Sequence, residues 1–245
     1  MIVRTDDPSV VAAVDAIHRG DVAGLQRLLE LHPELATATI GGGDDSKRPT
    51  TRTLLHVVTD WPGHFPRGAE TVAVLVSARA DVNARFSGPH NETPLHWAAS
   101  SDDVAVLDAL IDAGADIEAR GAVIGGGTPM ADATAFGQWN AARRLLELGA
   151  NTTMWEASAL GLLDRVGGHF DSVPPPAPGD ATAALWGACH GGHRRVAEFL
   201  IERGADVNWV GWDDLTPLDV AQRSEADDVV AWLRSLGAKS NAEVV

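Results

Sequence analysis

Thr93-Pro94-Leu95-His96-Trp97-Ala98-Ala99 is followed by Val104 to Ile111 and then by Gly114-Ala115-Asp116. The same order returns as Thr128-Pro129-Met130-Ala131-Asp132-Ala133-Thr134, then Asn140 to Leu146, then Gly149-Ala150-Asn151. Thr93 and Thr128 stand 35 residues apart, and so do Gly114 and Gly149. Local chemistry reads each copy as a pair of helices. Thr93 caps a helix whose first residue, Pro94, needs no amide partner. Leu95, Ala98 and Ala99 fall at i, i+3 and i+4 and make one packed face, on which the two alanines let a neighbouring helix come close. The second helix puts Val104, Leu107, Leu110 and Ile111 on one stripe, and Gly114 supplies the positive-φ stop. A single pair cannot bury its own apolar face, so the copies must stack on one another.

A fixed period of this length with a Thr-Pro-Leu-His-x-Ala opening resembles the ankyrin repeat. The resemblance extends over nearly the whole chain and is most specific over 91–151 and 196–237. It implies an all-α fold, an ankyrin-repeat solenoid of about seven helix pairs with β-turn or hairpin finger loops, in one domain over 1–245. An N-terminal capping repeat is expected over 8–38, further repeats near 53–84, 93–119, 128–151, 152–173 and 183–208, and a C-terminal cap over 216–238. The pattern is degenerate at the N-terminus and around 152–181. His56 and His96 match the motif histidine, which in the family bonds from one repeat to the next, and Gly192-His193 matches the glycine-histidine between paired helices.

Composition narrows the function classes. The 245 residues are 45% hydrophobic, with 19 Lys+Arg against 34 Asp+Glu and a formal charge of −15. Such a surface repels nucleic-acid phosphates and anionic membranes, and suits a basic protein partner. The single cysteine, Cys189, excludes an intrachain disulfide framework and reads as a buried thiol in an alanine position. The opening Met1-Ile2-Val3-Arg4-Thr5-Asp6-Asp7 has no signal-peptide core, and no apolar run is long enough to span a bilayer, so the expectation is a soluble cytoplasmic protein.

Several stretches depart from the period. Residues 40–52, with Gly41-Gly42-Gly43, lack the Gly-Lys-Ser/Thr ending of a phosphate cradle and read as a flexible connection. Thr53 to Thr93 spans 40 residues, and the excess falls at Trp61-Pro62-Gly63-His64-Phe65-Pro66. Arg79 stands where the other repeats have glycine, at a cost of about 1 kcal/mol if the left-handed turn is kept. Pro174-Pro175-Pro176-Ala177-Pro178 reads as a stiff spacer across a truncated repeat. Arg234 occupies a stacking position, as suits a cap.

In the family, the first helices line a concave face, and carrying the register through the repeats predicts a groove. Its members include Asp60 and Trp61, Trp97, Ser100 and Ser101, Asp132 and Phe136, Glu156 and His190; Phe86, His90, Trp209 and Trp212 are placed on finger loops. Either both finger tryptophans are exposed anchors, or one packs beneath its loop. The resemblance implies a non-enzymatic protein-binding module with no cofactor and an unnamed protein partner. The alternative is a small-molecule site or enzyme, in which Asp132, Glu156 and His190 act as acid, base or cation ligand beside Trp97 and Phe136, with the Trp61–Pro66 insertion as a lid. Stacked helices sit roughly 8–10 Å apart, which would leave both carboxylates charged in an open groove. His190-Gly-Gly-His193 has no second ligand pair, so no metal site is expected.

Overall fold

The structure, a computed structural model, describes residues 1–42 and 50–244. The connection expected at 40–52 lies partly outside them. The chain divides into two compact units, Met1–Ala150 and Asn151–Val245, where the sequence suggested a single domain.

In the first unit, α1 (Pro8–Arg19) and α2 (Val22–Leu31) form the opening pair, capped by the carboxylates of Asp7 and Asp21. Pro33 ends α2 and starts a 3-10 turn. Three short strands follow the period only loosely: β1 (Ile2–Val3) runs parallel to β2 (Thr39–Gly41), which pairs antiparallel with β3 (Thr51–Arg52). The ends of the connection are therefore sheet rather than coil, with β2 as the central strand and its Ile40 buried.

The three regular pairs are α3 (Leu54–Thr59) with α4 (Gly68–Ser77), α5 (Pro94–Ser100) with α6 (Val104–Asp112), and α7 (Pro129–Ala135) with α8 (Trp139–Glu147). The 35-residue period is visible in the core, where Leu75, Leu110 and Leu145 are all fully buried. Polar side chains also tie neighbouring repeats together. Asn83 accepts from the Asp116 amide at 2.8 Å, and Asp102, held at φ 59°, accepts from the Ala141 amide at 2.7 Å. Arg79 keeps the left-handed turn that Gly114 and Gly149 make in later repeats, with φ 72°.

The second unit comprises α9 (Met154–Ala159), α10 (Leu163–Phe170), α11 (Pro178–His190), α12 (Arg194–Ile201), α13 (Pro217–Arg223), α14 (Asp227–Ser235) and the short α15 (Asn241–Val244). Ala157, Leu185, Leu200, Leu218 and Leu233 share one core. The helix α11 begins at Pro178, five residues before the expected repeat boundary, because Pro178 suits a first helical position and Asp180 accepts from the Ala177 amide at 2.9 Å. The proline-rich spacer is thus shorter than its composition suggests. Arg234 is exposed and pairs with Glu243 of α15 at 2.6 Å. Among the described residues, no helix is long and apolar enough to cross a membrane.

Candidate functional site

The motif histidines set the frame of the first unit. The Thr93 amide donates to His96 Nδ1 at 3.1 Å, and His96 Nε2 lies 3.4 Å from the Gly127 carbonyl. His56 repeats this with the Thr53 amide at 3.3 Å and the Glu92 carbonyl at 3.3 Å. An accepting Nδ1 leaves the proton on Nε2, so both rings are neutral. Burial holds both pKa values down at about 4. Each histidine ties the cap of its own helix to the approach of the next.

The finger loop at Ala122–Gly127 folds back over α7. The Ile124 amide donates to Asp132 Oδ1 at 3.4 Å, and Asp132 is 0% exposed. Asp132 therefore does not line an open groove: the loop covers the slot the helical register assigned to it. The corresponding slot is filled by Val57 in the earlier pair, also fully buried. Against Asp132 lies Glu92, itself buried, which also accepts from the side chain of Trp97. Asp132 Oδ2 receives no N–H or hydroxyl hydrogen bond, so a proton on one of the two carboxyls completes the contact. Burial first, and then the neighbouring Glu92 charge, push Asp132 up to about 7, and burial likewise raises Glu92. The expectation that the Asp132 carboxylate stays charged without special tuning does not hold, because it sits in protein rather than water.

The rest of the expected groove sorts by exposure. Trp97 and Ser100 are half-buried and Ser101 is buried, its hydroxyl donating to the Trp97 carbonyl at 2.9 Å. Asp60 pairs with Arg52. Phe86 packs on Trp97 with ring centroids 5.4 Å apart, while His90 is exposed beside it. Phe136 is 49% exposed and Trp61 is 83% exposed. The insertion that carries Trp61 is tied down at three points. The His64 amide donates to Asp103 Oδ2 at 2.8 Å, His64 Nε2 lies 2.9 Å from the Ser101 carbonyl, and Phe65 stacks on His18 at 4.5 Å. Gly63, at φ 73°, lets the chain turn where a Cβ would meet the Ser101 hydroxyl at 2.7 Å. Instead of a lid hinged over the groove, the insertion is a fixed mount for an exposed indole.

In the second unit, Glu156 is also buried. Its Oε2 accepts from the Thr153 amide at 2.6 Å, closing a capping box on α9. His190 is buried against the rings of both Trp155 and Trp186, with Ser224 Oγ at 3.3 Å from its Nδ1. Neither Asp132 nor Glu156 is presented to solvent in its own unit, and the acid–base alternative has no exposed carboxylate at these positions. An open cleft of about 500 Å³ is lined in part by Thr153, Trp155, His169 and Asp180, and its lining does not include Glu156 or His190. Among the described residues no cluster of three or more His, Cys, Asp or Glu is placed to hold a metal.

The finger after α12 holds an aromatic cluster that the register did not anticipate. Trp212 meets Trp155, Trp186 and Trp209 edge-to-face, at centroid distances of 5.9, 5.2 and 5.4 Å. Trp209 is partly buried beneath the loop and Trp212 is 50% exposed, so one finger tryptophan packs and the other faces solvent. The signal available in the sequence was glycine. A Cβ at Gly211 would stand 2.4 Å from the Trp209 ring and 2.9 Å from Trp186, and one at Gly187 would stand 3.1 Å from Trp155.

Comparison with known proteins agrees with this architecture. The family described as Ankyrin repeats (3 copies) matches residues 67–154, and the single Ankyrin repeat matches 182–212. The chain belongs to the ankyrin-repeat family. It is 31% identical, over 73% of its length, to an ankyrin repeat and KH domain-containing protein of Caenorhabditis briggsae. It is 28% identical, over 71% of its length, to the alpha-latrocrustotoxin-Lt1a of Latrodectus tredecimguttatus. The chain spans only 7% and 10% of those two proteins. Ankyrin repeats are generally protein-interaction modules.

Proposed function

We propose that this protein binds another protein through aromatic side chains that its loops hold out to solvent, without enzymatic activity of its own. The observation that carries the reading is Trp61, 83% exposed on an insertion fixed by His64, Phe65 and Asp103. The contacts of His64 and Phe65 restrain the backbone that carries this indole before any encounter, which lowers the ordering cost of association. Phe136 and the half-buried Trp97, with Ser100, Asp60 and the His90 loop, offer further contact area in the first unit, and Trp212 does so in the second. The net charge of −15 favours a basic partner. A cytoplasmic setting belongs to this reading as well.

The test uses the whole chain as bait in a cell extract, with a partner identified by mass spectrometry and its affinity then measured with purified components. Trp61→Ala is expected to weaken that affinity by about tenfold or more, as for a central anchor. Unchanged affinity, or capture of nothing above a control bait, would contradict the proposal.

A further inference from the structure

At the finger of the second unit, Asp213 of the loop and Trp186 of α11 together already hold a cation. The Arg223 guanidinium donates to Asp213 Oδ2 at 2.8 Å, and its Cζ lies 5.8 Å from the centroid of Trp186. In the same turn, Trp212 and Asp214 stand two residues apart and offer the same two side-chain types. Trp212 is half-exposed, Asp214 is exposed, and Asp214 has no ion-pair partner among the described residues. Asp213 and Asp214 both adopt φ of 56°, a conformation that aspartate tolerates better than most side chains. The turn therefore carries two exposed carboxylates in the residues that directly follow the half-exposed Trp212.

The construction around this pair is specific. Trp186 donates to the Leu215 carbonyl at 3.0 Å, tying the aromatic base to the far end of the finger. Gly187 and Gly211 remove the two Cβ atoms that would press on Trp155 and Trp209. The three inner tryptophans thus form a floor, and Trp212 stands edge-to-face on it with half its surface in solvent. The surrounding charge is one-sided: residues 206–228 contain seven Asp and Glu and the single basic residue Arg223.

We propose that the Trp212–Asp214 pair receives an arginine side chain from a basic segment of the partner protein, seated beside the position that Arg223 occupies on Trp186 and Asp213. The inference rests on the protein-binding reading above and specifies its chemistry. Arginine fits better than lysine because a planar guanidinium stacks on an indole while it donates in the ring plane to a carboxylate. Arg223 is fixed by its own carboxylate, so the incoming guanidinium adds to the cluster without displacing it.

The probes are three peptides of equal length in a Gly-Ser background, carrying three Arg, three Lys or three Gln. Their binding to the full chain is followed through the tryptophan indole N–H signals, with that of Trp212 assigned from Trp212→Phe. The Arg peptide is expected to shift the Trp212 signal saturably, the Lys peptide several-fold more weakly, and the Gln peptide not at all. Asp214→Asn is expected to weaken the Arg peptide about three- to tenfold, and Asp214→Glu to restore most of the loss, with the Trp186 signal showing that the cluster is intact. Equal binding of the Arg and Gln peptides, or full binding by Asp214→Asn, would overturn the inference. A partner captured by wild type and Asp214→Asn with equal affinity would overturn it as well, and would leave the protein-binding reading standing. Absence of any captured partner counts against that reading first.

Discussion

Asp132 and Glu92 share one buried position under the Ala122–Gly127 finger, where burial and the neighbouring Glu92 carboxyl make ionisation of Asp132 costly. Asp132 is about 7 in the folded protein against about 3.9 for an unfolded chain. Between those values the folded state retains a proton that the unfolded state releases. The contribution of this site to stability therefore falls as pH rises from about 4 to about 7. Asp132→Asn keeps an oxygen for the Ile124 amide and gives Glu92 a donor. It should raise unfolding free energy at pH 8 by about 1–3 kcal/mol and change it little at pH 4. Denaturant melts of both proteins at the two pH values check this, and an equal effect at both would show that no proton is shared.

His56 and His96 act in the opposite direction. Both titrate at about 4 when folded and near 6.5 when unfolded, so the unfolded chain binds more protons between those values. Their contribution is complete above pH 6.5 and is lost as pH falls toward 4. The slope is best measured in the Asp132→Asn background, which removes the opposing titration. His96→Ala leaves the Thr93 amide and Gly127 carbonyl without their partner and should cost about 1–3 kcal/mol at pH 7.5, with a flatter profile below pH 6.5. A profile as steep as that of the parent would place the titration elsewhere.

Arg79 holds a left-handed turn at φ 72° where Gly114 and Gly149 make the same turn freely. Arg79→Gly should stabilise the protein by about 0.5–1 kcal/mol, and Gly114→Ala should destabilise it by about 1 kcal/mol. Thermal melts that moved in the same direction for both variants would refute this.

The tryptophan cluster depends on glycine. Gly211→Ala introduces a Cβ 2.4 Å from the Trp209 ring and should cost about 1–3 kcal/mol while altering the near-ultraviolet circular dichroism. Retention of the native spectrum and stability would mean that the finger accommodates the methyl group by moving.

The repeat could be read from sequence because its signals are local. The Thr-Pro cap, the alanines at i+3 and i+4 and the glycine stop each act within one helix pair, and Leu75, Leu110 and Leu145 repeat the result at a fixed period. The site was less legible because exposure depends on contacts outside the helix. Helical register assigned Asp132 to a face other than that of Met130 and Ala133, and could not foresee that Ile124 would close over it. Glu92 gave no warning, since it comes from the approach strand and not the helix. Trp155 and Trp186 form a second aromatic layer with Trp212, for which the close-fitting glycines at 187 and 211 are the local sign. Trp61 was legible as an insertion, while its fixed mount required His64 to reach Asp103, 39 residues away.

The most direct measurement is the affinity of a captured partner for two variants of the whole chain. One carries Trp61→Ala, Phe136→Ala and Trp212→Ala together; the other carries Asp132→Asn alone. All three aromatic residues are substantially exposed, Trp212 with one side on the tryptophan cluster, and circular dichroism and a melt of the triple variant check that the fold survives their removal. The account predicts that the triple variant loses at least tenfold in affinity while Asp132→Asn binds as the parent does. Undiminished binding by the triple variant, or loss of binding on Asp132→Asn alone, would contradict it.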